Sequence, residues 1–334
     1  DYKDMLTSGK IDAVIVAVPH KFHADIAMEV LENNLNVLVE KPIDVSVTKA
    51  KVLNECAKNH NKVFAIMFNQ RTNELFAQAK DILATGKLGK IKRSVWIVTN
   101  WYRTQSYYDS GSWRATWAGE GGGVLLNQAP HNLDLWQWIC GMPSSVCAYC
   151  DTAKYHNIEV EDDVTIIAKY NNGAVGTFIT TTGEFPGTNR LEISGTLGKI
   201  VIENGILKWW QLDMDEEEFR FASKESFAKI ETNYQEILPK EKETAHAGIL
   251  QNFTNAILFG EKLLSPGYDG INELAISNAA YLSEWTGNRE IKIPFDNKEF
   301  DELLAKKAEK SNFHDTVVSE ENTGEYQTRW QVRW

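Results

Sequence analysis

The order of apolar and polar residues at the start of the chain is that of a parallel sheet. IDAVIVAVP is a continuous apolar run bounded by Asp and Pro, which predicts a strand buried on both faces. HADIAMEVLENN then shows the spacing of an amphipathic helix, LNVLVEKP is a second short buried strand, VSVTKAKVLNECAKNHN a second helix, and KVFAIMFN a third strand. DYKDMLTSG, ahead of them all, reads as a short helical piece. Strand, helix, strand, helix, strand at this spacing implies right-handed crossovers and a doubly wound sheet.

From residue 69 the pattern changes. RTNELFAQAKDILATGKLG predicts a helix closed by Gly, and IKRSVWIVTNWY opens a run of longer strands near 144–151, 162–170, 174–183, 189–203 and 206–222, with NNG, TLGK and ENG as turns. This reads as a large, mostly antiparallel open sheet. TAHAGILQNFTNAILFG and GINELAISNAAYLSEWTGN are helices expected to pack across one of its faces, and KEFDELLAKKAEK is a third. The fold class is therefore α/β: part of a doubly wound parallel sheet over 1–68, an α+β domain over 69–310 for substrate and oligomerisation, and a polar arm over 311–334.

The 334 residues are 43% hydrophobic and 24% charged, an ordinary globular balance with room for two cores. A formal charge of −11 with singly scattered basic residues disfavours nucleic acid and anionic membranes as partners. No apolar run is long enough to span a membrane and no signal-like layout opens the chain, so the cytoplasm is the expected compartment. CAYC, at 147–150, has the spacing of half a zinc site, yet it sits in a strand-like stretch, where Cys147 and Cys150 point to opposite faces. Reduced structural thiols and no metal are expected.

VPHKFH, then EKP, then FNQR, WRATW and EGGGVLLNQAPHNLDLWQWICG together closely resemble the glucose-fructose oxidoreductase, inositol dehydrogenase and rhizopine-catabolism (Gfo/Idh/MocA) family, over essentially the whole chain. EKP alone is weak evidence; in this order with the glycine-rich motif it is strong. The resemblance implies a Rossmann domain, a second domain with a large open sheet, NAD or NADP as cofactor with NAD favoured, a sugar or polyol substrate, and a homo-oligomer, dimer or tetramer. It also implies a G-x-G-x-x-G loop in roughly 50 to 60 further residues ahead of Asp1, without which the cofactor is expected to bind poorly.

In an open α/β sheet the strand C-termini face the ligand. Val18, Pro19, His20 and His23 after one strand, and Glu40, Lys41 and Pro42 after the next, are thus expected beside the cofactor. His23 fits equally well as a helix-start residue bonded to nearby backbone. The resemblance assigns the proton chemistry to Lys41 and His131, without deciding which takes the first proton, and adds Asn69, Arg71, Trp113 and Arg114 on the cofactor side. Tyr102, Arg103, Tyr107 and Tyr108 are expected to face substrate, since aromatic rings with polar tips suit a sugar, and burial in a subunit interface fits Tyr107 and Tyr108 equally well. Asn127 and Gln128 are expected to orient hydroxyls; the resemblance leads to Asp where Asn127 stands, so a carboxylate relay there is absent. LNQAPHNLD is expected to place Asn127, His131 and Asp134 on one helical face, and the triple glycine to let backbone approach a ligand.

Three activities stay open: a dehydrogenase acting on a secondary hydroxyl of a sugar, glycoside or cyclitol; an NAD-retaining glycosidase or lyase working through transient oxidation; and a catalytically silent sugar or nucleotide sensor. Intact Lys41 and His131 argue against the last.

Overall fold

The computed structural model describes residues 1–311, so the expected arm lies outside the described residues except for Ser311. A short helix α1 (Tyr2–Leu6) precedes β1 (Ala13–Val16), a 3-10 turn (His20–Phe22), α2 (His23–Glu32), β2 (Asn36–Val39), α3 (Val47–Lys58) and β3 (Phe64–Ile66). The three strands are parallel, in the order β1-β2-β3. Every residue of β2 and β3 is buried, as continuous apolar runs require. Ser46 caps α3 by accepting the Thr48 N–H, which ends the loop after β2 at a defined point. Residues 40–45 are thereby held at the sheet's C-terminal edge.

A second 3-10 turn (Asn69–Thr72) leads to α4 (Glu74–Ala84), β4 (Ile91–Val98), α5 (Gln105–Asp109) and α6 (Pro130–Cys140). Then follow β5 (Ser145–Thr152), β6 (Glu161–Lys169), β7 (Val175–Thr181), β8 (Asn189–Gly195), β9 (Gly198–Glu203), β10 (Ile206–Leu212), α7 (Glu216–Ala222) and β11 (Thr232–Ile237). The described chain ends through α8 (Ala245–Phe259), α9 (Gly270–Trp285), β12 (Ile291–Lys292) and α10 (Asn297–Ala308). Nine strands form one sheet, in the order β11-β10-β9-β8-β4-β7-β6-β5-β12. All its pairings are antiparallel except β4 with β7. The connection over 182–188 is longer than a tight hairpin turn, so β7 and β8 do not pair and β4 enters between them.

Three expectations need correction. The strand expected over 206–222 stops at Leu212, and 216–222 is helical, because Asp215 accepts the Glu217 N–H and acidic residues fill the first turn, where the helix dipole favours them. Asn127 does not share a helical face with His131: Pro130 occupies the first turn of α6, a place where its missing N–H is harmless, and Asn127 falls in the turn ahead of it. Nor does α8 cover the large sheet. Val37 and Val39 join the main core with Ala24, Ala27 and Leu53, whereas Leu38 points the other way, with Ala65 and Met67, against Ile249 and Phe253 of α8. The alternation of side chains along a strand thus gives α8 the second face of the small sheet. Cys147 and Cys150 do lie on opposite faces of β5.

The triple glycine serves packing, not ligand approach. A Cβ on Gly121 would meet Val45, one on Gly122 the Tyr281 hydroxyl, and one on Gly123 the Glu161 carbonyl. The Glu161 carboxylate accepts the N–H of Gly123 at 2.9 Å and of Leu125 at 3.0 Å, and the Tyr281 hydroxyl at 2.7 Å. Burial pushes its pKa up to about 7 against those donors. Since backbone cannot yield as a flexible side chain does, Gly123→Ala should destabilise the protein by more than about 2 kcal/mol in urea denaturation.

Candidate active site

The ends of β1 and β2 are tied by His23. Its Nδ1 lies 2.7 Å from the Pro42 carbonyl and its Nε2 2.7 Å from the Val18 carbonyl, and the ring is buried. Both ring nitrogens face backbone, so of the two roles open to His23 the structure gives it the helix-start tie. Val18 and Pro19 stand exposed beyond β1. His20 is buried beside Trp113, its ring edge-on at 6.4 Å, with Nδ1 3.2 Å from the Glu120 carbonyl. If Nδ1 carries the proton, Nε2 is left as an acceptor. Burial, then the nearby Lys41 charge, holds the His20 pKa well below the usual imidazole value.

Lys41 follows the Glu40 carboxylate and precedes a cis peptide to Pro42. Its ammonium donates to the Asn127 carbonyl at 2.6 Å, joining the small sheet to the turn before α6. Burial lowers the Lys41 pKa, opposed by Glu40, Glu120 and Glu273. His131, in the first turn of α6, is buried with its ring edge-on to Phe68 at 6.4 Å. Its pKa falls well below the usual value through burial, then through the charge of Lys41 and that of His246. The two expected proton carriers therefore lie within reach of each other's fields. Tyr107 completes the cluster: its hydroxyl accepts from Arg114 at 3.1 Å, and from the amides of Asn127 and Gln128 at 3.4 Å each. The Arg114 guanidinium stacks over both Tyr107 and Trp113, and Arg103 lies over Tyr107.

Several expected residues are elsewhere. Arg71 is no cofactor contact: it is buried, with Nε and Nη2 on Asp134 at 2.9 and 2.7 Å, and Nη1 on Asp269 at 2.7 Å and the Leu264 carbonyl at 3.1 Å. A guanidinium engaged on every nitrogen has no face left for a ligand. Tyr108 turns inward, its hydroxyl 2.7 Å from Thr182 and its ring against His156, with the Tyr107 ring edge-on to it at 5.2 Å. Tyr102 is exposed beside Phe185. Asn69 is buried, its amide 3.2 Å from Nδ1 of His246. Sequence reasoning passed over His246, Glu120 and Glu273; the last is fully buried on α9. A cavity of about 1180 Å³ opens between α4, the β8–β9 hairpin and residues 239–245; Thr72 and Ala245 on its wall adjoin Asn69 and His246, but it contains neither Lys41 nor His131.

Residues 1–68 match the model of the oxidoreductase family's NAD-binding Rossmann fold, and residues 76–201 match the GFO/IDH/MocA C-terminal domain, together more than half of the chain. The chain belongs to the GFO/IDH/MocA oxidoreductase family. It is 26% identical over 227 residues to levoglucosan dehydrogenase of Pseudarthrobacter phenanthrenivorans, a match spanning 60% of this chain and 57% of that enzyme. It is also 26% identical over 212 residues to the NAD(+)-dependent scyllo-inositol 2-dehydrogenase of Bacillus subtilis, covering 60% and 58%. The chain thus spans little more than half the length of these relatives. Among solved structures, the WlbA dehydrogenase of Chromobacterium violaceum, in complex with NADH and UDP-GlcNAcA, superposes with a TM-score of 0.75 at 26% identity, covering 89% of this chain and 81% of that one.

The residues here suit a nicotinamide dinucleotide. Exposed Val18 and Pro19 offer an apolar platform at the strand ends, flanked by the donors of Lys41 and Arg114. Arg71 is a different matter. Arg71→Met should leave Asp134 buried without its partner and lower stability by about 3–5 kcal/mol, read from urea denaturation.

Proposed function

We propose that the protein is an NAD(P)-dependent dehydrogenase oxidising a secondary hydroxyl of a sugar, glycoside or cyclitol, with residues 1–68 serving the nucleotide and 69–310 the substrate. The observation that carries this reading is the pairing of a half-buried ammonium, Lys41, with a buried imidazole, His131, whose pKa burial and then that same charge depress. The relatives named for levoglucosan and scyllo-inositol support the substrate class.

When bound, the oxidised nicotinamide ring would accept hydride from the alcohol carbon. Val18, Pro19, His20, Glu40, Trp113 and Arg114 would hold that side of the site. His131, uncharged at neutral pH, takes the hydroxyl proton, and the Lys41 ammonium hydrogen-bonds the oxygen as negative charge grows on it. Tyr107, Asn127 and Gln128 orient the neighbouring hydroxyls. The outer face of the nine-stranded sheet, with Tyr149, Ile167 and Val175 exposed, is where we place a second copy of the chain in a homo-oligomer.

In the full-length protein, Lys41→Met and His131→Ala should each lower turnover by about 10²-fold or more with little change in cofactor affinity, followed by absorbance of the reduced cofactor across a panel of monosaccharides, glycosides and inositols. Near-parental turnover in both variants would overturn the assignment. Glycoside cleavage without accumulation of reduced cofactor would replace net oxidation by transient oxidation. The pH dependence follows from the directions of the shifts. Oxidation should hold its rate from neutrality well into the acid range, since the His131 pKa lies below the usual value, and should fall on the alkaline side as Lys41 loses its proton at a pH below that of a free lysine.

A further inference from the structure

Glu120, which opens the EGGG run, has no part in the mechanism above, yet it is placed like a component of it. It is 2% exposed. Its Oε2 accepts the Ala115 N–H at 2.7 Å, and its Oε1 accepts the Asn127 side-chain amide. One donor on each oxygen suits an ionised carboxylate: burial pushes the Glu120 pKa up, while the Ala115 N–H, Arg114, the Asn127 amide and Lys41 work against that rise. Asn127 in turn commits its amide hydrogens to Glu120 and, at 3.4 Å, to Tyr107, so Oδ1 is the side-chain atom it retains for accepting. The main-chain carbonyl of the same residue takes the Lys41 ammonium at 2.6 Å. Asn127 is thus gripped by an anion at its side chain and by a cation at its backbone.

We propose that Glu120 is a positioning residue of the hydroxyl oxidation: its carboxylate locks the Asn127 amide so that Oδ1 accepts from a substrate hydroxyl, and across that same Asn127 it stands as a counter-charge to the Lys41 ammonium. The catalytic consequence rests on the dehydrogenase reading; the effect on Lys41 does not. Around Lys41 the balance is close. Burial works against its charge, Glu40, Glu120 and Glu273 support it, and Arg103 opposes it. His20 and His131 face it as imidazoles whose own pKa values it depresses, and Arg114 lies toward Glu120. Glutamine at 120 would remove one of the acidic groups that support the Lys41 charge and set an amide N–H against either the Ala115 or the Asn127 donor.

The test is an NMR titration of the Lys41 side chain in ¹³C-lysine-labelled protein without added nucleotide, its signal assigned by loss in Lys41→Arg. Glu120→Gln should lower the Lys41 midpoint by about one pH unit and Glu120→Asp by less, since a carboxylate is retained. In turnover assays the alkaline limb should move to lower pH by the same amount in Glu120→Gln, and KM for the hydroxylated substrate should rise about tenfold. A folded Glu120→Gln with an unmoved Lys41 midpoint overturns the proposal, whatever happens to its rate. If that variant does not fold, the same titration is made in Glu120→Ala, where the charge is also lost, and an unmoved midpoint there overturns it equally. Should the parent oxidise no polyol at all, the dehydrogenase reading fails while the titration still decides the role of Glu120 toward Lys41.

Discussion

Burying an ammonium is unfavourable unless acceptors and counter-charges surround it, and the structure around Lys41 is organised by that requirement. The residue comes from the end of β2, its acceptor from the turn before α6, and the acidic groups that favour its charge are Glu40, Glu120 ahead of the glycine run and Glu273 on α9, the last two with pKa values that burial raises. Four separate stretches of chain have to arrive together for one amine to be stable there. The two sheets consequently meet at a polar cluster, and burial together with that same charge holds the His131 pKa well below the usual imidazole value. A cation able to donate beside a base able to accept is the arrangement on which the proposed oxidation of an alcohol draws.

The framework behind the cluster consists of two other buried acidic groups with their partners fully matched. Asp134 holds Arg71 through two parallel bonds, linking the turn after β3 to α6, while Asp269 takes the remaining nitrogen at the start of α9. Glu161 collects the N–H groups of the glycine run and the hydroxyl of Tyr281. Each joins elements distant in sequence, and together they set where α6 begins and how close it lies to the strand ends. His131 inherits its position from both.

Much of this was legible in the chain itself. Buried strands and amphipathic helices announced the parallel sheet because a strand covered on both faces must be apolar throughout, and the order of V-P-x-x-x-H, EKP and the glycine-rich motif singled out Lys41 and His131. Where the reading went astray, the cause was local direction or packing. Tyr107 and Tyr108 are adjacent and chemically alike, and only the rotation of a short helix decides that one meets Arg114 while the other meets Thr182. Arg71 looked available because its partners lie at positions 134 and 269, beyond the reach of any local pattern.

Hydrophobic periodicity, then, carried the fold class, and a few motifs in a fixed order carried the family resemblance and with it the expectation for Lys41 and His131, since these depend on near-neighbour spacing that a linear sequence carries directly. Tertiary structure decided the rest: that the glycines receive protein instead of ligand, that α8 covers the small sheet, that His23 ties two strand ends, and that Glu120 stands against Asn127. The physical reason is common to all four. Which buried polar groups find one another, and which small residues are pressed from across the core, depends on contacts between segments far apart in the chain, and these exist only once the chain has folded.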